Sequence, residues 1–210
     1  TNKTMPIIKQ TESSFEPIPE GTHPARCISV ISLGTQPSNN PAYRPSFKVV
    51  LGFEFPNETI EVNGEKKPMT TSQFVNAYLG SPSKPSKTHL FLKSWRGRPF
   101  TEKELAGFDL AKVCGAPCLI NIVHEKKENK TYCNIASISP LMKGMTIAPQ
   151  VHKSVVYEVT QGRDSVFQSL PEWTQKMIAN CEEWNAQQSP ESDGPQPSDN
   201  DGANVDDVSF

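Results

Sequence analysis

Prolines are spread through this 210-residue sequence, which contains 19 of them. A proline ring removes a backbone donor and clashes with the preceding turn of a helix, so a long helix does not continue past it. Long helices are therefore scarce in a chain of this kind. The sequence predicts a mainly β fold, built as one domain with appended segments.

The segment from Phe47 to Phe55 has the clearest strand pattern in the chain. Its alternate side chains are large and apolar, namely Phe47, Val49, Leu51, Phe53 and Phe55. Because successive side chains of a strand point to opposite faces, these residues are predicted to lie in the core. The opposite face carries Lys48, Val50, Gly52 and Glu54. We expect that face to line a groove with one cation and small side chains.

Short strands and turns are predicted along the rest of the chain. Strands are expected at residues 25–33, 59–62, 69–79, 117–124, 131–139 and 155–159. Asn63-Gly64 is a strong turn dipeptide and predicts a hairpin. Ser86 is a candidate cap for one short helix, and the capping-box pattern of Thr101 and Glu104 predicts a second.

The C-terminal part of the chain contains an apolar pattern with helical spacing. Its members are Trp173, Met177, Cys181 and Trp184, which follow Ser169 and Pro171. This spacing predicts one amphipathic helix that docks on the domain or pairs with a second subunit.

The order of these elements predicts an OB-fold barrel. Five or so short strands, with a helical insertion before the last hairpin, match that fold, whose exposed sheet face binds single strands. We divide the chain into an extended N-terminal arm (1–24) that covers a sheet edge, an OB-fold domain (25–160), a C-terminal helix (161–185) and a disordered acidic tail (186–210).

Charge is distributed unevenly between the body and the tail. From Ala186 onward there are six acidic residues and no lysine or arginine, which leaves 17 acidic residues against 21 basic ones in the rest of the chain. The body thus carries about +4 and the tail about −6. A tethered polyanion competes for the surface that a nucleic acid would use. A purely solubilising tail is the alternative.

The tail ends in acidic and apolar side chains, namely Asp206, Asp207, Val208, Ser209 and Phe210. A tail made only for solvation gains nothing from Val208 and Phe210. We therefore interpret these residues as a tip that binds partner proteins.

Rings and cations suited to single strands occur in several segments. Tyr43 and Arg44 place a ring beside a cation in one loop, and Lys48 lies on the clearest strand. Phe74 and Tyr78 are predicted to face outward as stacking platforms, although a register shift of one residue would place both in the core.

The segment around Trp95-Arg96-Gly97-Arg98 brings flat cations and rings together, with Lys93 before it. Such a combination suits phosphates and unstacked bases. The alternative is that Trp95 packs in the core while the arginines face solvent. Lys126, Lys127 and Lys130 lie in the predicted turn of the last hairpin, where they either contact phosphates or simply keep the turn soluble.

No catalytic, metal or cofactor pattern stands out. The four histidines are scattered, and no glycine-rich phosphate loop is present. Cys114, Cys118, His124 and Cys133 do not follow a zinc spacing. The sequence predicts no enzyme activity and no cofactor. An odd number of cysteines, five, and the lack of an apolar membrane segment favour a soluble cytoplasmic protein.

Four runs of sequence resemble a family of bacteriophage single-stranded DNA-binding proteins with an OB fold. They are residues 92–101, 107–110, 115–124 and 136–141, and the resemblance covers roughly residues 22–145. The segment Trp95–Phe100 is its most specific part. The last five residues separately resemble the acidic tips of bacterial and phage single-strand binders, with Ser209 where bacterial tips usually have proline.

The resemblance implies a role in phage DNA replication, recombination and repair, in the host bacterial cytoplasm. The barrel would coat single-stranded DNA without sequence preference, and the tip would recruit replication or recombination proteins. A homo-oligomer is compatible with this role. The alternative function is an adaptor of a phage replication complex that does not itself bind DNA.

Overall fold

Six strands form one sheet in this computed structural model, which describes residues 17–38, 40–128 and 130–188. The strands are β1 (Gly21–Gln36), β2 (Ser46–Val62), β3 (Glu65–Asn76), β4 (Pro117–Lys127), β5 (Lys130–Ser139) and β6 (Val155–Tyr157). The antiparallel order is β3-β2-β1-β4-β5, and β6 pairs with β1 in parallel. The prediction of a mainly β fold is confirmed, and the sheet is open in its strand order.

The helices are short, as the prolines predict. They are α1 (Lys87–Arg96), α2 (Glu102–Ala106), α3 (Ser165–Ser169), α4 (Glu172–Ala179) and α5 (Glu182–Gln188). Two 3-10 turns lie at Leu110–Val113 and Val159–Gln161. No helix in the described part of the chain has the length and apolar character needed to span a membrane.

β1 is the central strand and pairs on both sides. Its first residues pair with β4, from Gly21 opposite Ile122 to Arg26 opposite Pro117. The rest of the strand pairs with β2 and ends with Gln36 opposite Ser46. Two register shifts in β1 mark bulges, which bend a strand and increase its twist. β1 is longer at both ends than the predicted strand at 25–33.

The predicted hairpin at Asn63-Gly64 is present between β2 and β3. Asn63 has φ 54° and Gly64 has φ 81°, which is the left-handed backbone that a tight hairpin turn requires. A bulge between Phe55 and Thr59 divides the long β2, so the separate short strand predicted at 59–62 is the end of β2.

One face of the sheet packs against α1. Val49, Leu51, Phe53 and Phe55 are buried there as predicted, and Phe47 is half-buried. Leu92 and Trp95 of α1 join the same core. The predicted caps are confirmed: Ser86 accepts a hydrogen bond from the backbone N–H of His89, and Thr101 and Glu104 form the capping box of α2.

α1 lies between the two edge strands of the sheet. Thr88 Oγ1 donates to the carbonyl of Asn76, the last residue of β3, at 2.8 Å. Ser94 Oγ donates to the carbonyl of Ile138 in β5 at 2.6 Å. The helix thus contacts both edges that the strand order leaves unpaired.

The other face of β1 and β2 is covered by the C-terminal segment, contrary to the expectation of an open groove along the whole of β2. Val50 and Glu54, predicted to line that groove, are buried. A second core forms there from Ile31, Leu33, Val50, Tyr157, Val159, Phe167, Leu170, Ile178, Cys181 and Trp184. Residues beyond β5 therefore pack directly on the sheet.

The single amphipathic helix predicted after Ser169 is instead two short helices, α4 and α5. Ser169 is the last residue of α3, and Pro171, which has no backbone N–H, precedes α4. α4 ends at Ala179, with Asn180 as its C-cap, so the four-residue spacing does not continue along one helix. α4 buries Thr174 and Ile178, and this rotation leaves Trp173 half-exposed.

Residues 17–20, part of the predicted arm, pack beside β4. Ile18 is buried, and its carbonyl lies 2.7 Å from Nε2 of His124. The carboxylate of Glu20 accepts a hydrogen bond from the backbone N–H of His124 at 2.7 Å. The arm up to residue 16 and the tail from residue 189, including the predicted tip, lie outside the described residues.

Candidate nucleic-acid interface

A groove remains on the outer face of β1, β2 and β3, where the C-terminal segment does not cover the sheet. Its volume is about 540 Å³. One wall is formed by His152, Lys153, Pro171 and Trp173. The rest of the lining combines small side chains of the sheet (Ser29, Gly52, Thr70 and Ser72) with apolar ones (Ile28, Ile31, Val50, Val155 and Leu170).

Strand register places the small side chains of this groove in one row. Ser29 of β1 lies opposite Gly52 of β2, and Gly52 lies opposite Ser72 of β3. Directly opposite residues of paired strands point to the same face. A Cβ added at Gly52 would lie 2.3 Å from Ser29 Oγ, so the absence of a side chain at this position keeps the floor low.

Two aromatic rings meet beside this row. Phe74 of β3 and Trp173 of α4 have centroids 6.0 Å apart and planes inclined at 59°. Each residue is 45% exposed. Trp95 and Trp184, by contrast, are 4% and 3% exposed. The sequence interpretation assigned Trp173 to a buried helical stripe and missed it as a candidate for binding.

The outward orientation predicted for Phe74 and Tyr78 agrees with the structure. Both are exposed, whereas Val75, which follows Phe74 in the sequence, is buried. Tyr78 lies beyond the end of β3 and borders a separate pocket of about 360 Å³ that Leu105 and Phe108 also line. The two rings therefore belong to different surfaces and do not form one platform.

Trp95 is a core residue, and its predicted stacking role is wrong. Its ring packs against Phe53 at 5.4 Å and Phe91 at 6.2 Å, measured between centroids. Its indole N–H donates to the carbonyl of Pro117 at 3.1 Å. Because the ring of Trp95 is buried between α1 and the sheet, neither of its faces is accessible to a base.

The side chain of Arg96 is largely buried and contacts other residues of the protein. The prediction that Arg96 contacts phosphates is therefore wrong. Its guanidinium lies 4.4 Å from the ring centroid of Phe100 and 5.1 Å from that of Phe108. It also forms an ion pair with Glu104. A guanidinium held by a carboxylate and two rings is a stabilising group of the α1–α2 connection.

The same carboxylate binds Arg98, whose Nη2 lies 2.9 Å from Glu104 Oε1. The hydrogen bond from Arg98 is the main cause that lowers the pKa of Glu104 to about 2, and the backbone N–H of Thr101 adds to it. Arg98 remains about half-exposed and borders a shallow depression with Lys93. These two cations stay accessible.

The remaining predicted cations lie in or near two loops at opposite ends of β1. Tyr43 and Arg44 are exposed in the loop between β1 and β2, and Lys48 is half-buried at the start of β2. Lys126, Lys127 and Lys130 lie where β4 and β5 meet, and all three are exposed. Lys127 forms an ion pair with Glu125 at 3.0 Å. The hairpin turn is shorter than predicted because the strands include Lys127 and Lys130.

The described residues contain no group of three or more histidine, cysteine or acidic side chains that could hold a metal ion. The scan of the sequence against protein-family models finds no match. A search of the curated proteins finds no match either.

Proposed function

We propose that this protein binds single-stranded DNA without sequence preference, through an OB-fold barrel. In this proposal it coats and protects the strand during phage DNA replication, recombination and repair, and its acidic tail recruits partner proteins. The observation that carries the proposal is the groove on the outer face of β1, β2 and β3, which is lined by the half-exposed ring of Trp173, itself in contact with the half-exposed ring of Phe74. Rings on a sheet face provide stacking surfaces for unpaired bases.

The strand order supports the OB fold. The sheet has the order β3-β2-β1-β4-β5, and a helix between β3 and β4 contacts both edge strands. In OB folds, the β2–β3 face and the loops β1–β2 and β4–β5 bind oligonucleotides. Phe74 and Lys48 lie on β3 and β2, while Arg44 and Lys126 lie in or beside those loops.

The net positive charge of the residues before the tail supports contact with phosphates. Because this charge is small, its electrostatic contribution to the affinity for DNA is expected to be modest. Outside the tail, the sequence has 21 basic and 17 acidic residues. Part of this basic charge is already paired, as Arg96 and Arg98 with Glu104 show. Stacking must then supply a large share of the affinity, which fits binding to any base.

An adaptor function is the second candidate, and one observation favours it. Tyr78 and Leu105 are exposed apolar residues at the pocket that also includes Phe108. Exposed apolar surface of this kind marks sites for protein partners. An adaptor would use this pocket without binding DNA.

A fluorescence titration separates the two functions. The intrinsic tryptophan emission is measured while oligo-dT is added, and then while a duplex of the same length is added. We expect quenching and tight binding with the single strand only. The log of the affinity should fall with log salt concentration, with a slope of about −0.7 for each phosphate neutralised. Absence of binding to oligo-dT at low salt would reject the proposal in favour of the adaptor.

A further inference from the structure

We infer that Trp173 is the principal base-stacking residue, so that the C-terminal helix α4 forms half of the DNA site. This inference rests on the proposed function and assigns its central contact. The ligand chemistry is an unpaired nucleobase. An OB barrel alone would not contain this site, because α4 follows the last strand of the sheet.

Trp173 has no evident role in the core. α4 docks through Thr174 and Ile178, which are both fully buried, whereas Trp173 is half-exposed. The exposed 45% of Trp173 is apolar surface that a bound ring could cover. Its ring lines the groove and contacts Phe74 of β3, so the two exposed rings form one aromatic surface that reaches the groove at Trp173.

The geometry of the two rings decides how a base can bind. A base between two parallel rings needs a gap of about 7 Å, twice the contact distance of carbon atoms. The rings of Phe74 and Trp173 have centroids 6.0 Å apart and are inclined at 59°, so they touch and leave no such gap. The base therefore stacks on an open face of the pair.

The groove floor can accept the edge of a base stacked on these rings. The row of Ser29, Gly52 and Ser72 provides hydroxyl groups that both donate and accept hydrogen bonds, without a bulky side chain in the middle. Groups that can donate or accept do not select one base. The site thus fits low sequence preference and excludes duplex DNA, whose bases are stacked on one another.

Fixed contacts hold α4 and its ring in place. The side-chain amide of Gln36 donates to the carbonyl of Met177 at 2.9 Å. In α5, the carboxylate of Glu183 accepts hydrogen bonds from the backbone N–H and the hydroxyl of Thr35, at 2.7 and 2.6 Å. Trp173 is therefore held relative to the sheet before DNA binds, which reduces the entropy that binding costs.

The test combines Trp173→Ala and Trp173→Phe in the full chain, with oligo-dT as the probe. Stacking contributes about 1–3 kcal/mol per base, so Trp173→Ala should raise the Kd roughly 5- to 150-fold. Trp173→Phe keeps a ring and should retain most of the affinity. It should lose most of the fluorescence quenching, because the two remaining tryptophans, Trp95 and Trp184, are buried.

The control is Leu105→Ala, which removes an exposed apolar side chain of α2 at the separate pocket that Tyr78 also borders. It should bind oligo-dT like the unchanged protein. Unchanged affinity of Trp173→Ala, or undiminished quenching in Trp173→Phe, would overturn the inference while the proposed function survived. If the unchanged protein failed to bind oligo-dT, the proposed function would fail and this site with it.

Discussion

Glu54 of β2 is fully buried, and its carboxylate lies 2.9 Å from the ring Nδ1 of His152. The same carboxylate accepts hydrogen bonds from the backbone N–H groups of Val151, at 3.1 Å, and His152, at 3.0 Å. One acidic side chain thus attaches the segment after β5 to the outer face of the sheet. That segment carries one wall of the groove.

Replacing Glu54 by Ala should therefore destabilise the protein and weaken DNA binding together. Two backbone donors would lose their partner, at about 1–3 kcal/mol each. Urea unfolding should show a loss of about 2–6 kcal/mol on this basis. His152→Ala is the control, since it removes one donor and keeps the backbone contacts. Equal stability of Glu54→Ala and the unchanged protein would contradict this role.

Gly52→Ala should be destabilising because of one neighbour. The added Cβ would lie 2.3 Å from Ser29 Oγ, and overpacking of this kind costs about 1–3 kcal/mol. Ser29→Ala removes the clashing oxygen, so the double variant should recover most of the loss. Thermal unfolding of the two single variants and the double variant measures this coupling. Additive effects would show that the two positions do not interact.

Trp95→Ala should affect folding and leave no specific DNA defect. Removing a buried tryptophan costs about 3–5 kcal/mol of unfolding free energy. Trp95→Phe should keep more of the packing against Phe53, and its DNA affinity should match that of the unchanged protein. Denaturant unfolding and oligo-dT titration are compared for both variants. A Trp95 variant that is stable but binds oligo-dT more weakly would show that this ring contacts DNA and would contradict its assignment to the core.

The free energy of unfolding should depend on pH through Glu104, which forms ion pairs in the α1–α2 connection. Its pKa is lowered to about 2 from the ordinary carboxyl value of 4.5, mainly by Arg98. A lowered pKa in the folded state stabilises the protein above the unfolded value, and this stability is lost as the pH falls through the folded value. The stability difference between the unchanged protein and Glu104→Gln should thus shrink between pH 5 and about pH 2. A difference that is constant over this range would refute the assignment.

Removal of residues 189–210 should tighten DNA binding at low salt and abolish recruitment of partners. This truncation keeps α5, which ends at Gln188, and removes the six acidic residues of the tail. Salt would screen such a competition between tail and DNA, so the effect should fade as ionic strength rises. Affinity for oligo-dT is measured across a salt series. As a control, neutralising the acids in a full-length tail should reproduce the tightening.

Local chemistry explains the parts of the fold that sequence patterns predicted well. Ser86 and Thr101 cap helices through contacts within three residues, and Asn63-Gly64 adopts the backbone that a tight turn needs. The alternation from Phe47 to Phe55 predicted the buried face of β2, because strand geometry alone decides which side chains share a face. These features depend on neighbours in sequence.

The site required information that no local pattern contains. Trp95 and Trp173 both lie in apolar helical patterns. Trp95 is nevertheless buried on the side of α1 that packs on the core, whereas Trp173 lies on the exposed side of α4. Which face of a helix is buried depends on the element it meets, and those partners are far apart in the chain.

The amino-acid sequence by itself determined the strands, the caps, the turn and the separation of charge between body and tail, because each follows from residues close in the chain. Only the tertiary structure decided that the C-terminal segment covers the outer sheet face and that Phe74 meets Trp173. The physical reason is that Glu54 with His152, and Thr35 with Glu183, are contacts between residues roughly 100 and 150 positions apart. Such pairings appear only when the chain is folded.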